Sequence, residues 1–379
     1  MSLQSHSQPH HLAMQPNPTG ALLHKLHIDA PLLVGLILLC GIGFLILYSA
    51  GGQNSDLLVR QAVRLGVAFV LMLGLAQVPP QTLKRYSLAL FVIGIVLLLA
   101  VLVIGTIGKG ARRWLDLGFF RFQPSEMLKI ATPMMLAWYL AARPLPPGWL
   151  HLISALVLIL IPTALIAKQP DLGTALLIAS SGAAVLFVAG ISWRLLIGVG
   201  AVCAGLTPVL WHFMHDYQRD RVKMLWYPES DPLGRGYHII QSKIAIGSGG
   251  LYGKGWLNGT QSHLDFLPER STDFIFAVFA EEFGLLGCVT LLVVYLLITG
   301  RCLFIAAEAN DTYSRLLAGG LTITFFVYVF VNIGMVIGIL PVVGVPLPLI
   351  SYGGTSMVTL LAGFGILMSI RTHPKLIPG

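Results

Sequence analysis

Ten stretches of mostly apolar residues recur along this chain, at about 31–50, 60–79, 87–107, 124–142, 149–167, 173–190, 193–211, 273–300, 316–339 and 354–371. Each reaches roughly the 18 to 20 residues that a helix needs to cross the hydrocarbon of a bilayer. Composition agrees: 56% of the 379 residues are hydrophobic and 11% are charged, against about a quarter charged in a soluble domain. These features exclude a soluble enzyme, a disordered chain and a nucleic-acid-binding domain. They also count against an outer-membrane barrel, whose strands alternate apolar and polar residues. The expected fold is an all-α polytopic integral membrane protein with ten transmembrane helices.

The organisation follows from the spans. Residues 1–30 read as a flexible cytoplasmic tail, 31–371 as a single membrane domain, and 372–379 as a short cytoplasmic tail. The tail's His6, His10 and His11 lie in a polar, Pro-containing stretch and fit a tail better than a metal site. No cleavable signal peptide is read, because the apolar run from Pro31 continues too far for an h-region. Cys40, Cys203, Cys288 and Cys302 lie in or beside apolar runs without a Cys-x-x-Cys, which supports neither disulfides nor a thiolate zinc site. Two connectors are longer than the rest, about 108–123 and 212–272. With the N-terminus inside, nine cations fall on the cytoplasmic side and eight on the other, so the positive-inside rule does not decide. The outer connectors, however, cluster their cations with Gly, Pro and carboxylates, as a functional surface would. On that ground 212–272 is the long extracytoplasmic loop between helices seven and eight.

Ionisable groups at membrane depth are costly and carry a functional hypothesis by default. The fourth span opens Arg121-Phe-Gln-Pro-Ser-Glu126-Met-Leu-Lys129. Glu126 and Lys129 are three apart and share a helix face. They read either as a self-neutralising packing pair or as a polar pocket in which Lys129 meets an anion. Lys109, Arg112 and Arg113 add cations just upstream, suited to lipid headgroups or to a diphosphate. Asp273 opens the eighth span after Thr272. It reads as a helix cap or as a general base whose proton affinity partial desolvation tunes. Pairing it with Glu281 or Glu282 as in a glycosidase is disfavoured: eight or nine helical residues span about 12 to 13 Å, beyond the roughly 5 to 9.5 Å such pairs need.

Other motifs are weaker. Gly247-Ser-Gly-Gly-Leu-Tyr-Gly253-Lys-Gly255 lacks the Gly-Lys-Ser/Thr of a phosphate loop and reads as a flexible turn. His212 and His215 lack the intervening Glu of a zincin. Lys168-Gln-Pro-Asp171-Leu-Gly-Thr174 and Ser351-Tyr-Gly-Gly-Thr-Ser356 read as connections, the second also as a helix N-terminus with free N–H groups.

Several strings together resemble the SEDS family (shape, elongation, division and sporulation). They are Lys-Gly-Ala-Arg-Arg113-Trp-Leu-Asp-Leu-Gly, Arg-Phe-Gln-Pro-Ser-Glu126-Met-Leu-Lys129, Gln-Pro-Asp171-Leu-Gly-Thr, Tyr-Gln-Arg-Asp-Arg221-Val, the stretch from Asp231 to Gly250, Phe-Leu-Pro-Glu269-Arg-Ser-Thr-Asp273-Phe-Ile-Phe-Ala and Pro-Leu-Ile-Ser351-Tyr-Gly-Gly. All seven occur in family order, and Tyr237-His-Ile-Ile-Gln-Ser-Lys243 is similar to the rod-shape branch more than to the division branch. The resemblance implies a peptidoglycan glycosyltransferase of the bacterial cytoplasmic (inner) membrane that polymerises lipid II on its extracytoplasmic side. It implies that Asp273 is the essential acidic residue and that Glu126 and Lys129 are the family's polar pair. Arg113 and Arg221 fall on its cations and Lys243 on a polar loop position, all toward substrate. It further implies a class B penicillin-binding protein and the elongation machinery as partners. A divalent cation, Mg or Mn, at the diphosphate stays open, and no other cofactor is expected. The alternatives are a lipid II flippase or transporter, or a division-type paralogue of the same enzyme class.

Overall fold

The computed structural model describes residues 26–108, 111–116, 118, 121–191, 216–231, 235–263, 267 and 269–373, and between 192 and 215 only 194, 195, 197, 198, 201, 205, 211 and 212. The expected seventh span, His6, His10, His11, Lys109, Cys203 and His215 therefore lie outside the described residues or nearly so.

The helices are α1 Ala30–Ala50, α2 Ser55–Ala76, α3 Pro80–Ile104, α4 Pro124–Ala141, α5 Trp149–Lys168 and α6 Leu172–Val188. After them come α7 Asp216–Trp226, α8 Arg235–Gly249, the short α9 Thr260–His263, α10 Ile275–Ala307, α11 Thr312–Val336 and α12 Thr355–Thr372. Seven of them, α1, α2, α3, α5, α10, α11 and α12, are long and apolar enough to cross a membrane, which makes this a multi-pass membrane protein. α6 is apolar but has 17 residues. α4 has 18 residues at the expected place and is more polar than the seven, with 13 of its side chains buried, Glu126 and Lys129 among them. It sits inside the bundle, where protein rather than lipid is its solvent.

Helix starts follow local chemistry. Asp29, Asn54, Asp171 and Asp311 accept main-chain N–H bonds at the heads of α1, α2, α6 and α11, supplying orphan donors with an acceptor. Pro80 and Pro124 occupy first turns, where the missing N–H costs nothing. α2 begins at Ser55, ahead of the expected 60, because the Asn54 cap carries Arg60 and Arg64 onto the helix. α11 is the central element, with 72% of its spanning window buried against 17% for α2.

The connector after α3 departs from an all-helical reading. It forms a three-stranded antiparallel sheet, β1 Thr106–Gly108, β2 Ala111–Asp116 and β3 Arg121–Phe122, with Thr106 opposite Trp114 and Leu115 opposite Phe122. The alternation of a strand puts Arg113 on the same face as the buried Leu115.

α10 is broken at Gly284 (φ 63°, ψ −164°). The carbonyls of Glu281 and Glu282 are taken there by the N–H groups of Lys254 and Gly255, each at 3.0 Å. In return Leu285 and Leu286 donate to the carbonyls of Gly250 and Leu251. The buried Glu281 carboxylate accepts from Lys254 Nζ at 2.7 Å, Thr260 N at 2.9 Å and Gln261 N at 3.1 Å. The glycine-rich string is thus the close-approach partner of a helix break. A Cβ on Gly253 (φ 80°) would stand 2.1 Å from the Glu282 carbonyl. Gly253→Ala is therefore expected to lower stability by more than about 2 kcal/mol, read as a fall in melting temperature of the purified protein; an unchanged value would refute this interlock.

Candidate active site

The N-termini of α4, α6, α10 and α12 and the C-terminus of α11 meet at one end of the bundle, around the segment 337–354. Gln123, at the head of α4, donates to Asp171 Oδ2 at the head of α6 at 3.2 Å. Arg113 reaches from β2 to the same place: Nε donates to the Gln169 carbonyl at 3.3 Å, Nη2 to that of Pro170, and Nη1 lies 3.8 Å from Asp171 Oδ1. Its guanidinium is largely committed to fixing the turn between α5 and α6. Asp171 joins cap, Gln123 and Arg113, a role the sequence reading left to connection chemistry.

On α4, Lys129 Nζ donates to Glu126 Oε1 at 2.7 Å and to the hydroxyl of Tyr328 on α11, with side-chain exposures of 6% and 9% for Lys129 and Glu126. An ammonium has three N–H donors, and two of them have acceptors among the described residues. Glu126 Oε2 is buried with no hydrogen-bond partner among the described residues. Beyond Lys129 a mostly apolar cavity is lined by Leu321, Phe325, Tyr328, Leu360 and Phe364.

Asp273 is half-buried immediately before α10. A Cβ on Gly344 would stand 3.4 Å from its Oδ2, and a Cβ on Gly173 would stand 2.7 Å from the neighbouring Val343 carbonyl. The turn 343–345 is therefore the surface on which Asp273 and the head of α6 both lie. Asn332 Nδ2 donates to the Asp273 carbonyl at 2.9 Å and to that of Val345 at 2.7 Å. Tyr328 and Asn332 are one turn apart on α11, about 6 Å along its axis. The surroundings of Lys129 and of Asp273 are thus stacked on one helix face.

Lys243, exposed on α8, places Nζ 2.9 Å from where a Gly338 Cβ would be, just past the end of α11. Arg221 is half-buried on α7, which packs on the turn Pro228–Ser230 and on α8. Arg113 is thus linked through Asp171 and Gln123 to the head of α4. Glu126 and Lys129 are linked through Tyr328 and the Asn332 turn to the main chain of Asp273. Lys243 lies by the end of α11, and Arg221 lies on the loop helices. Residues missed from sequence are Tyr328, Asn332, Asp171 and His238. The first two are isolated polar residues in an apolar run, a signal that was available.

The His238 ring on α8 stacks on Phe274 at 5.5 Å. Burial holds its imidazole below the ordinary value while the Glu269 charge pulls it upward. Among the described residues no three His, Cys, Asp or Glu side chains group as metal ligands. A divalent ion here would have to take most of its ligands from a diphosphate, and no step is assigned to it.

The comparisons with known proteins decide the family. The model of the FtsW, RodA and SpoVE proteins, described as a cell cycle protein, matches residues 25–376. The chain belongs to this FtsW/RodA/SpoVE family. It is 57% identical over 355 residues to the peptidoglycan glycosyltransferase MrdB of Escherichia coli K12, covering 93% of this chain and 96% of that one. It is 32% identical over 422 residues to the peptidoglycan glycosyltransferase RodA of Treponema pallidum, covering 91% and 98%. Among solved structures, a chain from work on the structural coordination of polymerization and crosslinking by a peptidoglycan synthase complex is similar at TM-score 0.79 and 35% identity, covering 90% and 97%. The rod shape determining protein RodA of Thermus thermophilus is similar at TM-score 0.68 and 32% identity, covering 90% and 96%. The resemblance read from seven motifs therefore holds, and on the rod-shape branch.

Two outcomes are expected of this FtsW/RodA/SpoVE site. Lys129→Met leaves the Glu126 carboxylate buried and unpaired, a loss of about 3 to 5 kcal/mol. Adding Glu126→Gln restores most of it, in thermal unfolding of the single and double variants. A loss that the second change does not relieve would refute the pairing. For His238 the lowered folded value means that stability is complete above the unfolded value of about 6.5 and declines as pH falls toward the folded one. His238→Phe should flatten that decline between pH 7 and 5; an unaltered pH dependence of melting would remove His238 from it.

Proposed function

We propose that this chain is a peptidoglycan glycosyltransferase that polymerises lipid II into β-1,4 glycan strands for cell elongation, with Asp273 as general base. It is an enzyme of the bacterial cytoplasmic membrane, its site on the extracytoplasmic side at the end of the bundle where 337–354 lies. Support comes from the activity named for MrdB and RodA relatives. The observation that carries the chemical reading is the half-buried Asp273 tied, through Asn332 and Tyr328 on one face of α11, to the buried Lys129.

The donor sugar carries undecaprenyl diphosphate at its anomeric carbon, a group that departs as an anion and needs charge neutralisation more than a proton. The third N–H of Lys129 faces that anion, with Glu126 and Tyr328 holding the ammonium in place. Arg113 and Lys243 add positive potential around the mouth, and Arg221 stands farther out on the loop helices. The acceptor is the 4-hydroxyl of a GlcNAc, a weak nucleophile until its proton is removed. Asp273 takes that proton as the oxygen bonds the anomeric carbon and the carbon–diphosphate bond breaks. One displacement on an α-linked donor gives a β-linked product, which requires one base and no covalent intermediate. The exposed apolar helix surfaces suit the prenyl chain.

A class B penicillin-binding protein is the partner we assign, crosslinking the strands this chain makes, in line with the synthase-complex chain to which it is similar. In the purified complex, Asp273→Ala is expected to lose at least about 100-fold in lipid II polymerisation while remaining folded and binding lipid II. Polymerisation at the wild-type rate by that variant would end the assignment of the base.

A further inference from the structure

The chain just before α10 is a tight turn: the N–H groups of Thr272 and Phe274 both donate to the Glu269 carbonyl, at 3.0 and 3.3 Å. The first helical bond, from Ala277 N, goes to Phe274 O. The three preceding carbonyls are thereby left outside the helix ladder. Each has a partner on a different part of the α11–α12 region. Ser271 O accepts from Tyr352 N at 2.8 Å. Thr272 O accepts from Ser351 Oγ at 2.6 Å, and Asp273 O accepts from Asn332 Nδ2 at 2.9 Å. The Ser351 hydroxyl is itself oriented, since it accepts from Leu347 N at 2.7 Å. The Asn332 amide donates its second hydrogen to Val345 O. Its Oδ1 is buried without a hydrogen-bond partner among the described residues, so both donors of the amide are used and its acceptor is sacrificed. Leaving a buried acceptor unsatisfied costs about 1 to 3 kcal/mol. Leu would avoid that cost but would leave the Asp273 and Val345 carbonyls without this donor.

We propose that Ser351 and Asn332 are positioning residues for Asp273: three consecutive rungs on the carbonyls of Ser271, Thr272 and Asp273 set where its carboxylate stands relative to Lys129. The proposal rests on the reading of Asp273 as the base. Side-chain carboxylates swing about their own backbone, so fixing three peptide units in a row fixes the point from which Oδ2 reaches substrate. A base displaced by about 1 Å loses on the order of 100-fold in rate without altering how the diphosphate or the lipid chain is held. Asn332 of the clamp and Tyr328, which accepts from Lys129 of α4, both stand on α11, so the two attachments move together with that helix.

The test uses the full chain in the purified complex with its transpeptidase partner. Ser351→Ala removes the donor to Thr272 O and the acceptor for Leu347 N; Asn332→Leu removes both amide donors at similar volume. Both are expected to lower kcat 10-fold or more, with KM for lipid II within about twofold and lipid II still bound at one equivalent per chain. Ser351→Thr, which keeps a hydroxyl, is expected to recover most of the rate lost in Ser351→Ala. Asp273→Asn is measured beside them. If it is inactive while Ser351→Ala and Asn332→Leu turn over at the wild-type kcat, the clamp is refuted and the base stands. If binding stoichiometry falls in step with kcat, or Ser351→Thr does not recover rate, the rungs are struts of the fold and the proposal is overturned. If Asp273→Asn polymerises normally, the base reading itself fails, and with it the clamp.

Discussion

At membrane depth a peptide group without a partner costs several kcal/mol, because no water is there to replace it. Two departures from regular helix among the described residues are shaped by that constraint. Where α10 breaks at Gly284, the released carbonyls of Glu281 and Glu282 are met by the main chain of 250–255. Where α10 begins, the carbonyls of 271–273 are met by Tyr352, Ser351 and Asn332. The two irregular stretches bracket a helical segment of nine residues, 275–283, which is thus fixed at both ends by protein. A carboxylate at its head is held by the same bonds that make the irregular backbone tolerable.

The charged groups obey a related rule. A buried ion pair is seldom a net gain in stability over apolar residues of equal volume, and Glu126 with Lys129 is buried on α4, a helix with 13 of its 18 residues buried. The pair makes sense as a way of keeping a cation desolvated and aimed. Glu126 and Tyr328 take two of its donors. Glu281 is different in kind. Its carboxylate accepts from the ammonium of Lys254, from Thr260 and from Gln261, which accounts for its charge structurally and leaves no call on it as a second catalytic carboxylate, as its spacing from Asp273 had already argued.

The spans were readable because apolar runs of this length have one physical outcome in a bilayer. α1, α5 and α12 begin and end within a residue or so of the runs that announced them. The sheet at 106–122 was not readable, since its strands are two to six residues long and turn on pairings no local pattern encodes. Arg113 was singled out as a cation but its commitment to the Gln169 and Pro170 carbonyls was hidden, because those partners are more than fifty residues away. Asp273, Glu126 and Lys129 stood out as charges at the ends of apolar runs. Tyr328 and Asn332 did not, lying in a run read as span alone, though two polar residues one turn apart in a membrane helix mark a face turned to protein. The glycine string was seen as a flexible turn. Of its positive-φ positions Gly253 is packed against the Glu282 carbonyl, and Gly250 and Gly255 are bonded through their main chain to Leu285 and Glu282.

The placement of charge bears on how one displacement can proceed without an intermediate. In the proposed transfer, loss of a diphosphate and capture of a hydroxyl proton fall within one event, so the proposed cation and base must hold a fixed separation through it. Lys129 on α4 and Asp273 just before α10 stand on separate elements, which would drift against each other unless tied. Here α11 carries both attachments, Tyr328 to Lys129 and Asn332 to the main chain of Asp273, four residues apart. A rigid helix spans that interval at about 1.5 Å per residue. The separation of those two attachment points is then set by one turn of one buried helix, and the Tyr328 bond ties Lys129 of α4 to it.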